Sequence, residues 1–208
     1  MLASDGSAWA LPCPGVADGP TTSLLTLGWR PRIGYLVPHR QGDILHQRRA
    51  KGRMPLIWAA SITAQASFDF ERARMSRQAG GRVWVDAPDG ATWVVRGPCV
   101  ALQRVSSRSQ SRRLTAAVIP QAFVSQYGGV VGENHVLLLI PEREDAVTAE
   151  MIAALLNSPE ANAAYSRVGG TATISAKLLA TLPIPKPMRG RLTDPVMEVL
   201  GTEEIRTR

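Results

Sequence analysis

Apolar residues fall into short runs in the first two thirds of the chain and recur at helical spacing in the last third. Three of the runs occupy residues 99–104, 114–119 and 136–140, and polar or glycine-rich segments separate them. Apolar runs of this length, bounded by turn residues, are typical of buried β-strands. The sequence therefore predicts three strands between residues 98 and 140, joined by a polar loop at 106–113 and a turn at Gly128-Gly129.

Other short runs predict further strands upstream. We expect a strand at 33–37 closed by Pro38 and a buried strand at 55–60. The runs 82–86 and 91–95 flank Pro88-Asp89-Gly90, a pattern that favours a tight hairpin. Residues 64–81 have no clear period and are interpreted as a variable loop or a short helix.

The pattern in the last third of the chain predicts helices. Thr148, Ser158 and Ser175 each precede a segment with helical spacing, and hydroxyl side chains are good helix N-caps. Pro159 fits a first helical turn, and Gly169-Gly170 ends that second helix. Strands followed by helices indicate an α+β fold, a mixed or antiparallel twisted sheet with C-terminal helices.

Composition divides the chain into three parts. Residues 1–27 are rich in Ala, Gly, Pro and Ser and predict a flexible leader or linker. Residues 28–185 form the predicted domain. Residues 186–208 have few apolar side chains and predict a loosely held tail.

Positive charge is concentrated in the first half of the predicted domain. The 208 residues have a formal net charge of +7, and the sequence pI is about 10.2. Residues 28–113 hold 16 basic and 5 acidic side chains, whereas residues 114–208 have a net charge of −2. A GC-rich genome would also explain the preference for arginine, but not this placement. The placement predicts a polyanionic partner for the first half.

Several kinds of protein are disfavoured by what the sequence lacks. Two isolated cysteines, Cys13 and Cys99, are too few for a zinc site or a disulfide framework. No apolar run is long enough to span a bilayer, and no signal peptide is visible, so we expect a cytoplasmic protein without a membrane partner. Gly128-Gly129 and Gly169-Gly170 lack the spacing of a cofactor-binding or phosphate-binding loop.

A catalytic interpretation and a nucleobase-stacking interpretation remain open, each beside a structural one. Glu133-Asn134-His135 could supply a general base, with Cys99 as nucleophile, although a histidine beside an apolar strand is more often structural. Trp58, Trp84 and Trp93 have aromatic faces for nucleobases, but their apolar neighbours favour core packing.

Eight segments together resemble the C-terminal target-recognition region of adenine-specific (N6) DNA methyltransferases from type II restriction-modification systems. They are residues 34–40 (GYLVPHR), 55–58 (PLIW), 102–107 (LQRVSS), 112–118 (RRLTAAV), 133–135 (ENH), 155–158 (LLNS), 170–175 (GTATIS) and 182–185 (LPIP). Taken together in this order, the segments extend over residues 27–185. In that family a separate N-terminal domain binds S-adenosylmethionine and carries an Asn/Asp-Pro-Pro-Tyr/Phe motif. This sequence contains no Pro-Pro pair and no cofactor loop.

The resemblance implies a domain of the target-recognition type that binds double-stranded DNA and lacks the catalytic domain. The chain would be a truncated product, a split subunit or a fragment, with no cofactor of its own and S-adenosylmethionine on a separate methyltransferase domain or subunit. The alternatives are a complete small nuclease or methyltransferase with an unrecognised site, and an RNA-binding or partner-binding module.

Arginines supply the candidate DNA contacts, because guanidinium groups suit phosphate and guanine. The candidate phosphate contacts are Arg40, Arg48, Arg49, Arg108, Arg112 and Arg113. The candidate base contacts are Arg72, Arg74 and Arg77. Arg104, Glu133, Asn134 and His135 form a structural motif, in which Arg104 is a candidate partner for a buried carboxylate such as Glu133.

Overall fold

The chain folds into short strands followed by helices. A computed structural model describes residues 21–106, 110 and 112–185. The strands are β1 (Thr21–Thr22), β2 (Trp29–Ile33), β3 (Leu45–His46), β4 (Arg53–Ile57), β5 (Trp84–Asp86), β6 (Cys99–Gln103), β7 (Ala116–Ile119), β8 (Val131–Gly132), β9 (Val136–Pro141) and β10 (Ile184–Pro185). The helices are α1 (Phe70–Met75), α2 (Gln121–Tyr127), α3 (Ala149–Asn157), α4 (Pro159–Val168) and α5 (Ala176–Thr181). Two 3₁₀ turns lie at Gly42–Ile44 and Ala59–Ser61.

The first sheet contains the three strands expected between residues 98 and 140. Its order is β2-β9-β6-β7, and every neighbouring pair is antiparallel. In the centre, Val100 lies opposite Leu139 on one side and Val118 on the other. β6 and β9 are therefore the inner strands, and β2 and β7 form the two edges.

The second sheet is mixed. Its order is β3-β5-β4-β8, with β8 parallel to β4 and the other pairs antiparallel. A separate two-stranded ribbon joins β1 to β10 and so connects the two ends of the described chain. The protein is thus an α+β protein with one antiparallel sheet, one mixed sheet and C-terminal helices.

The first sheet separates two hydrophobic cores. Along β6, Cys99 and Ala101 face the core shared with the second sheet, whereas Val100 and Leu102 face the core shared with α3, α4 and α5. Side chains alternate between the faces of a strand, so a strand covered on both faces has an unbroken apolar sequence. This double burial explains why β6 and β9 appear as continuous apolar runs.

Hydroxyl caps begin the C-terminal helices where the sequence predicts them. The side-chain oxygen of Thr148 accepts from the Met151 amide at 3.3 Å, that of Ser158 from Ala161 at 3.1 Å, and that of Ser175 from Leu178 at 3.3 Å. Each bond satisfies an amide that the helix itself leaves unpaired. The predicted starts of all three helices are confirmed.

The predicted hairpin and the strands predicted at 33–37 and 55–60 differ from the structure, and helix α2 was not predicted. The strand predicted at 55–60 is β4, which ends at Ile57 and is followed by a 3₁₀ turn. The prediction of a hairpin at 82–95 is wrong. β5 pairs with β3 and β4, and in the run 91–95 it is Val95 that forms a β-bridge, with Val130. The strand expected at 33–37 lies earlier in the chain, as β2, because residues 29–33 are the ones that pair with β9. α2 begins after Pro120 and ends at Gly128, which has a left-handed backbone (φ 73°). Its seven residues are too short for a clear period.

Residues 21–27, which the sequence analysis assigned to the leader, belong to the folded structure. β1 pairs with β10, and Leu24 is completely buried in the core beneath α3 to α5. The remaining predicted leader, residues 1–20, and the predicted tail, residues 186–208, lie outside the described residues. Within the described ranges, no helix has both the length and the hydropathy needed to cross a membrane.

Candidate nucleic-acid interface

Arginines without an acceptor are concentrated in residues 32–82. Within the described part of the chain, seven guanidinium groups donate no hydrogen bond and form no ion pair. They belong to Arg32, Arg40, Arg48, Arg49, Arg72, Arg77 and Arg82. All except Arg82 are exposed, so their donors remain available to an external anion.

A basic cleft of about 560 Å³ lies between the turn before β4 and the end of α2. We call it the basic cleft. The residues that line it include Arg49, Lys51, Arg53, Met54, Gln126 and Tyr127. The guanidinium carbon of Arg49 lies 4.8 Å from the centre of the Tyr127 ring. This cation–π contact holds the Arg49 charge at the cleft without consuming its hydrogen-bond donors.

Packing in the core fixes the position of Tyr127. Its ring meets Trp84 and Phe123 edge-on, with centroid distances of 5.2 and 4.9 Å. Phe123 in turn contacts Phe70 of α1 at 5.1 Å. The aromatic cluster therefore couples the cleft to the second sheet and to α1.

Arg53 is the one cleft arginine that has a carboxylate partner among the described residues. Its Nε lies 3.0 Å from Asp86 Oδ1, and His46 Nε2 lies 2.6 Å from Asp86 Oδ2. The hydrogen bond with His46, and then that with Arg53, lowers the pKa of Asp86 against the opposing effect of desolvation. Asp86 therefore remains ionised and balances part of the positive charge at the edge of the cleft.

Helix α1 and the turn that follows it carry the arginines predicted to contact bases. Asp69 caps it by accepting from the Arg72 amide at 3.0 Å, and buried Phe70 and Ala73 attach it to the core. Arg72 and Arg77 are exposed and have no acceptor within the described residues. Arg74 differs, because its Nη1 lies 3.6 Å from Glu71 Oε2. Contacts of these arginines with bases remain predictions.

The loop arginines predicted to contact phosphate already have protein partners. Arg112 Nη2 donates to the Ala64 carbonyl at 2.7 Å, and Arg113 Nη2 donates to the Thr171 carbonyl. Each arginine thus joins the loop to a distant segment. Each is shown with one hydrogen bond within the described residues, and phosphate binding stays a prediction for both. Arg108 lies outside the described residues.

Glu133 and His135 form a hydrogen-bonded pair with opposite exposure. The Glu133 side chain is 1% exposed and that of His135 is 54% exposed. Glu133 Oε2 lies 2.9 Å from His135 Nδ1 and accepts from the His135 amide at 2.9 Å. Its Oε1 accepts from the Ala59 amide at 3.2 Å. The carboxylate therefore positions the imidazole and joins the two sheets.

Arg104 does not pair with Glu133, contrary to the expectation for a buried carboxylate. Its Nη1 donates instead to the Asn134 carbonyl at 2.8 Å, and its buried Nε has no partner within the described residues. The carboxylate of Glu133 instead accepts hydrogen bonds from the Ala59 and His135 amides and is paired with the His135 ring. The hydrogen bonds that connect Arg104, Glu133, Asn134 and His135 therefore differ from the predicted ones.

The geometry disfavours Cys99 as a nucleophile. Cys99 is completely buried, and burial raises the pKa of its thiol to about 12. A thiol in this state stays protonated and is a poor nucleophile. No group of three His, Cys, Asp or Glu side chains within the described residues is arranged to hold a metal ion.

A second, larger cleft has a different character. It measures about 680 Å³, and its lining includes apolar Trp29, Val118 and Val147 together with Glu142, Arg143, Glu144 and Glu150. Three carboxylates against one guanidinium give this cleft a net negative charge, whereas the described lining of the basic cleft contains Arg49, Lys51 and Arg53 and no carboxylate.

Lys51 and Tyr127 line the basic cleft but are absent from the site residues predicted from the sequence. Lys51 had a visible signal, since it lies between Arg49 and Arg53 in one basic run. Tyr127 had none, because 78 residues separate it from Arg49. Trp58 and Trp84 are 4% and 7% exposed, which confirms core packing for them, whereas Trp93 is only partly buried.

Comparison with known proteins gives no relative: no model of a protein family matches the chain, and a search of curated proteins finds no match.

Proposed function

We propose that this chain is a module for sequence-specific recognition of double-stranded DNA. In the proposed setting it is the specificity part of an adenine-specific (N6) DNA methyltransferase of a restriction-modification system. The catalytic domain and S-adenosylmethionine would then be supplied by other sequence. The target-recognition type of domain and the methyltransferase partner rest on the sequence resemblance.

One observation carries the DNA-binding part of this proposal. Exposed guanidinium groups without acceptors are concentrated in residues 32–77, and Arg49 and Lys51 meet at the basic cleft. Proteins bind duplex DNA mainly through such cations on phosphates, and they select sequence through donors at base edges. Arg48, Arg49 and Lys51 are proposed to bind phosphate, and Arg72 and Arg77 to contact bases.

The proposal predicts a steep loss of affinity with salt. Each phosphate contact releases condensed counterions, so log affinity falls by about 0.9 for each contact and each tenfold rise in salt. Fluorescence anisotropy with a labelled duplex library at several salt concentrations measures this slope. Arg48→Ala combined with Arg49→Ala should flatten it.

A matched pair of lysines provides the control. Lys51 lines the basic cleft and Lys177 is exposed on α5, so Lys51→Ala and Lys177→Ala each remove one charge. Only Lys51→Ala should flatten the slope. Equal effects of the two substitutions would show that net charge, and not the basic cleft, governs binding.

Selection of binding sequences from random duplexes tests specificity. Arg72→Ala or Arg77→Ala should change the selected sequence, because a base contact discriminates only at its own position. A structured RNA that competes as well as duplex DNA would contradict the proposal. Calorimetric titration with S-adenosylmethionine should show no binding to the chain alone, and specific binding would favour a complete methyltransferase.

A further inference from the structure

Tyr35 and Trp93 form a stacked pair of rings at the protein surface. Their ring centroids lie 4.9 Å apart, and the ring planes differ by 7°. Tyr35 is 51% exposed although Trp93 covers one face of its ring. The opposite face of Tyr35 is therefore open to solvent. We call this pair the aromatic platform.

The backbone that carries Tyr35 is held on both sides of the residue. The Gly34 amide donates to the Val136 carbonyl at 2.8 Å, and the Leu36 amide donates to the Gly132 carbonyl at 3.2 Å. A Cβ at Gly34 would lie 2.0 Å from the Glu133 carbonyl oxygen, so the chain runs in direct contact with that segment. The Tyr35 ring is consequently placed before any ligand arrives, which lowers the entropic cost of binding.

A closed turn supports Trp93. The amides of Val95 and Val130 each donate to the carbonyl of the other, at 2.9 and 2.8 Å. Arg96 Nη1 donates to the Ala91 carbonyl at 3.2 Å. The turn that carries Trp93 is therefore fixed to the strand region beside Gly129, and Trp93 serves as a firm backing for Tyr35.

The charges near Tyr35 along the chain are positive. Arg32 precedes it by three residues and Arg40 follows it by five, and both are exposed without an acceptor within the described residues. The first carboxylate after Tyr35 is Asp43, and none lies between Arg30 and Gln41. An open aromatic face on a segment whose charged residues are all cationic suits a ligand that combines a flat ring with negative charge. A nucleotide has both properties.

We propose that the aromatic platform is a stacking site for an unpaired nucleobase of the bound DNA. This proposal rests on the proposed function and adds a substrate preference to it: DNA in which one base has left the duplex stack. A base inside an intact duplex has both faces covered, so only an extruded, bulged or single-stranded base can reach Tyr35. Stacking on the ring is tolerant of base identity, because every base has a π-face.

The experiment compares three labelled DNAs with the full chain by fluorescence anisotropy at low salt. They are a perfect duplex, the same duplex with a single-nucleotide bulge, and a single strand. Wild type should bind the bulged duplex about 10-fold more tightly than the perfect one. Tyr35→Phe should keep this ratio, and Tyr35→Ala should bring it to about 1. Met75→Ala removes another side chain that is 80% exposed and should leave the ratio unchanged.

The outcomes separate this proposal from the proposed function. Equal binding of the perfect and bulged duplexes by wild type overturns the stacking site while duplex recognition stands. Binding of the single strand alone, lost in Tyr35→Ala and kept in Tyr35→Phe, supports the stacking site and overturns duplex recognition. Loss of self-association in Tyr35→Ala, with the DNA ratio unchanged, would make the platform a protein contact and overturn the proposal.

Discussion

Asn157 binds both backbone groups of Ala116 and so completes the free edge of β7. Its Oδ1 accepts from the Ala116 amide at 3.0 Å, and its Nδ2 donates to the Ala116 carbonyl at 2.7 Å. Asn162 continues the same edge by accepting from the Leu114 amide at 2.8 Å. The two helices α3 and α4 thus supply side-chain amides where another strand would otherwise pair.

Replacing Asn157 should destabilise the protein. Asn157→Ala leaves two partly buried backbone groups without partners, at a cost of about 2 kcal/mol in unfolding free energy. Urea denaturation measures the change. Gln78→Ala is the control, because Gln78 is an exposed amide without a partner in the described part of the chain. A stability of Asn157→Ala equal to that of the control would show that water replaces the amide at no cost.

Gly34 should not tolerate a side chain. The Cβ of Gly34→Ala would lie 2.0 Å from the Glu133 carbonyl oxygen and 2.6 Å from the Gly132 carbonyl carbon. Separating two hydrogen-bonded backbones should cost about 3 kcal/mol, measured as a shift of the urea midpoint. Gly97→Ala provides the matched control, since its Cβ meets no atom within 4 Å. Similar midpoints for the two variants would contradict the close approach.

The contacts of Asp86 predict a pH-dependent contribution to stability. Because its pKa is lowered in the folded state, the contribution is complete above the ordinary aspartate pKa and is lost as the pH falls through the folded value. Asp86→Asn should therefore lower the unfolding free energy at pH 7 by at most about 1 kcal/mol, since the group is exposed. The difference from wild type should shrink as the pH falls through the folded value. Asp89→Asn, at an exposed residue without a partner within the described ranges, should show no such dependence.

Cys99 should be unreactive in the folded protein. A buried thiol with a pKa of about 12 forms almost no thiolate at pH 8, and thiolate is the species that iodoacetamide alkylates. In a Cys13→Ser background, mass spectrometry should detect modification only after urea is added. Alkylation of the native protein at the rate of a free thiol would show that residue 99 is accessible and would reopen its catalytic interpretation.

The arginines of the polar loop should contribute to stability. Arg112→Ala with Arg113→Ala removes bonds to the Ala64 and Thr171 carbonyls and should lower the unfolding free energy by about 2 kcal/mol. Arg40→Ala with Arg48→Ala removes the same charge but no side-chain hydrogen bond or ion pair among the described residues and should leave the urea midpoint unchanged. If the two double variants are equally stable, the loop arginines serve only an external ligand.

Features that depend on local chemistry could be predicted from neighbouring residues. Thr148, Ser158 and Ser175 each cap a helix through an amide three residues away, so their signal is contained in a few neighbouring positions. The apolar runs of β6 and β9 likewise follow from burial on both faces, because a strand covered on both sides has apolar residues at successive positions. The uneven charge of the chain is a property of composition alone.

Which arginines are available to a ligand depends on long-range contacts in the folded chain. Arg112 contacts Ala64, and Arg49 contacts Tyr127, across 48 and 78 positions of sequence. The hairpin expected at 82–95 failed for the same reason, because β5 gains two long-range partners in β3 and β4 instead of a local one. Hydrophobic pattern and turn residues are local signals, whereas pairing is selected by the packing of whole sheets against their cores. The available guanidinium groups are therefore those that the assembled fold leaves without a carbonyl or carboxylate.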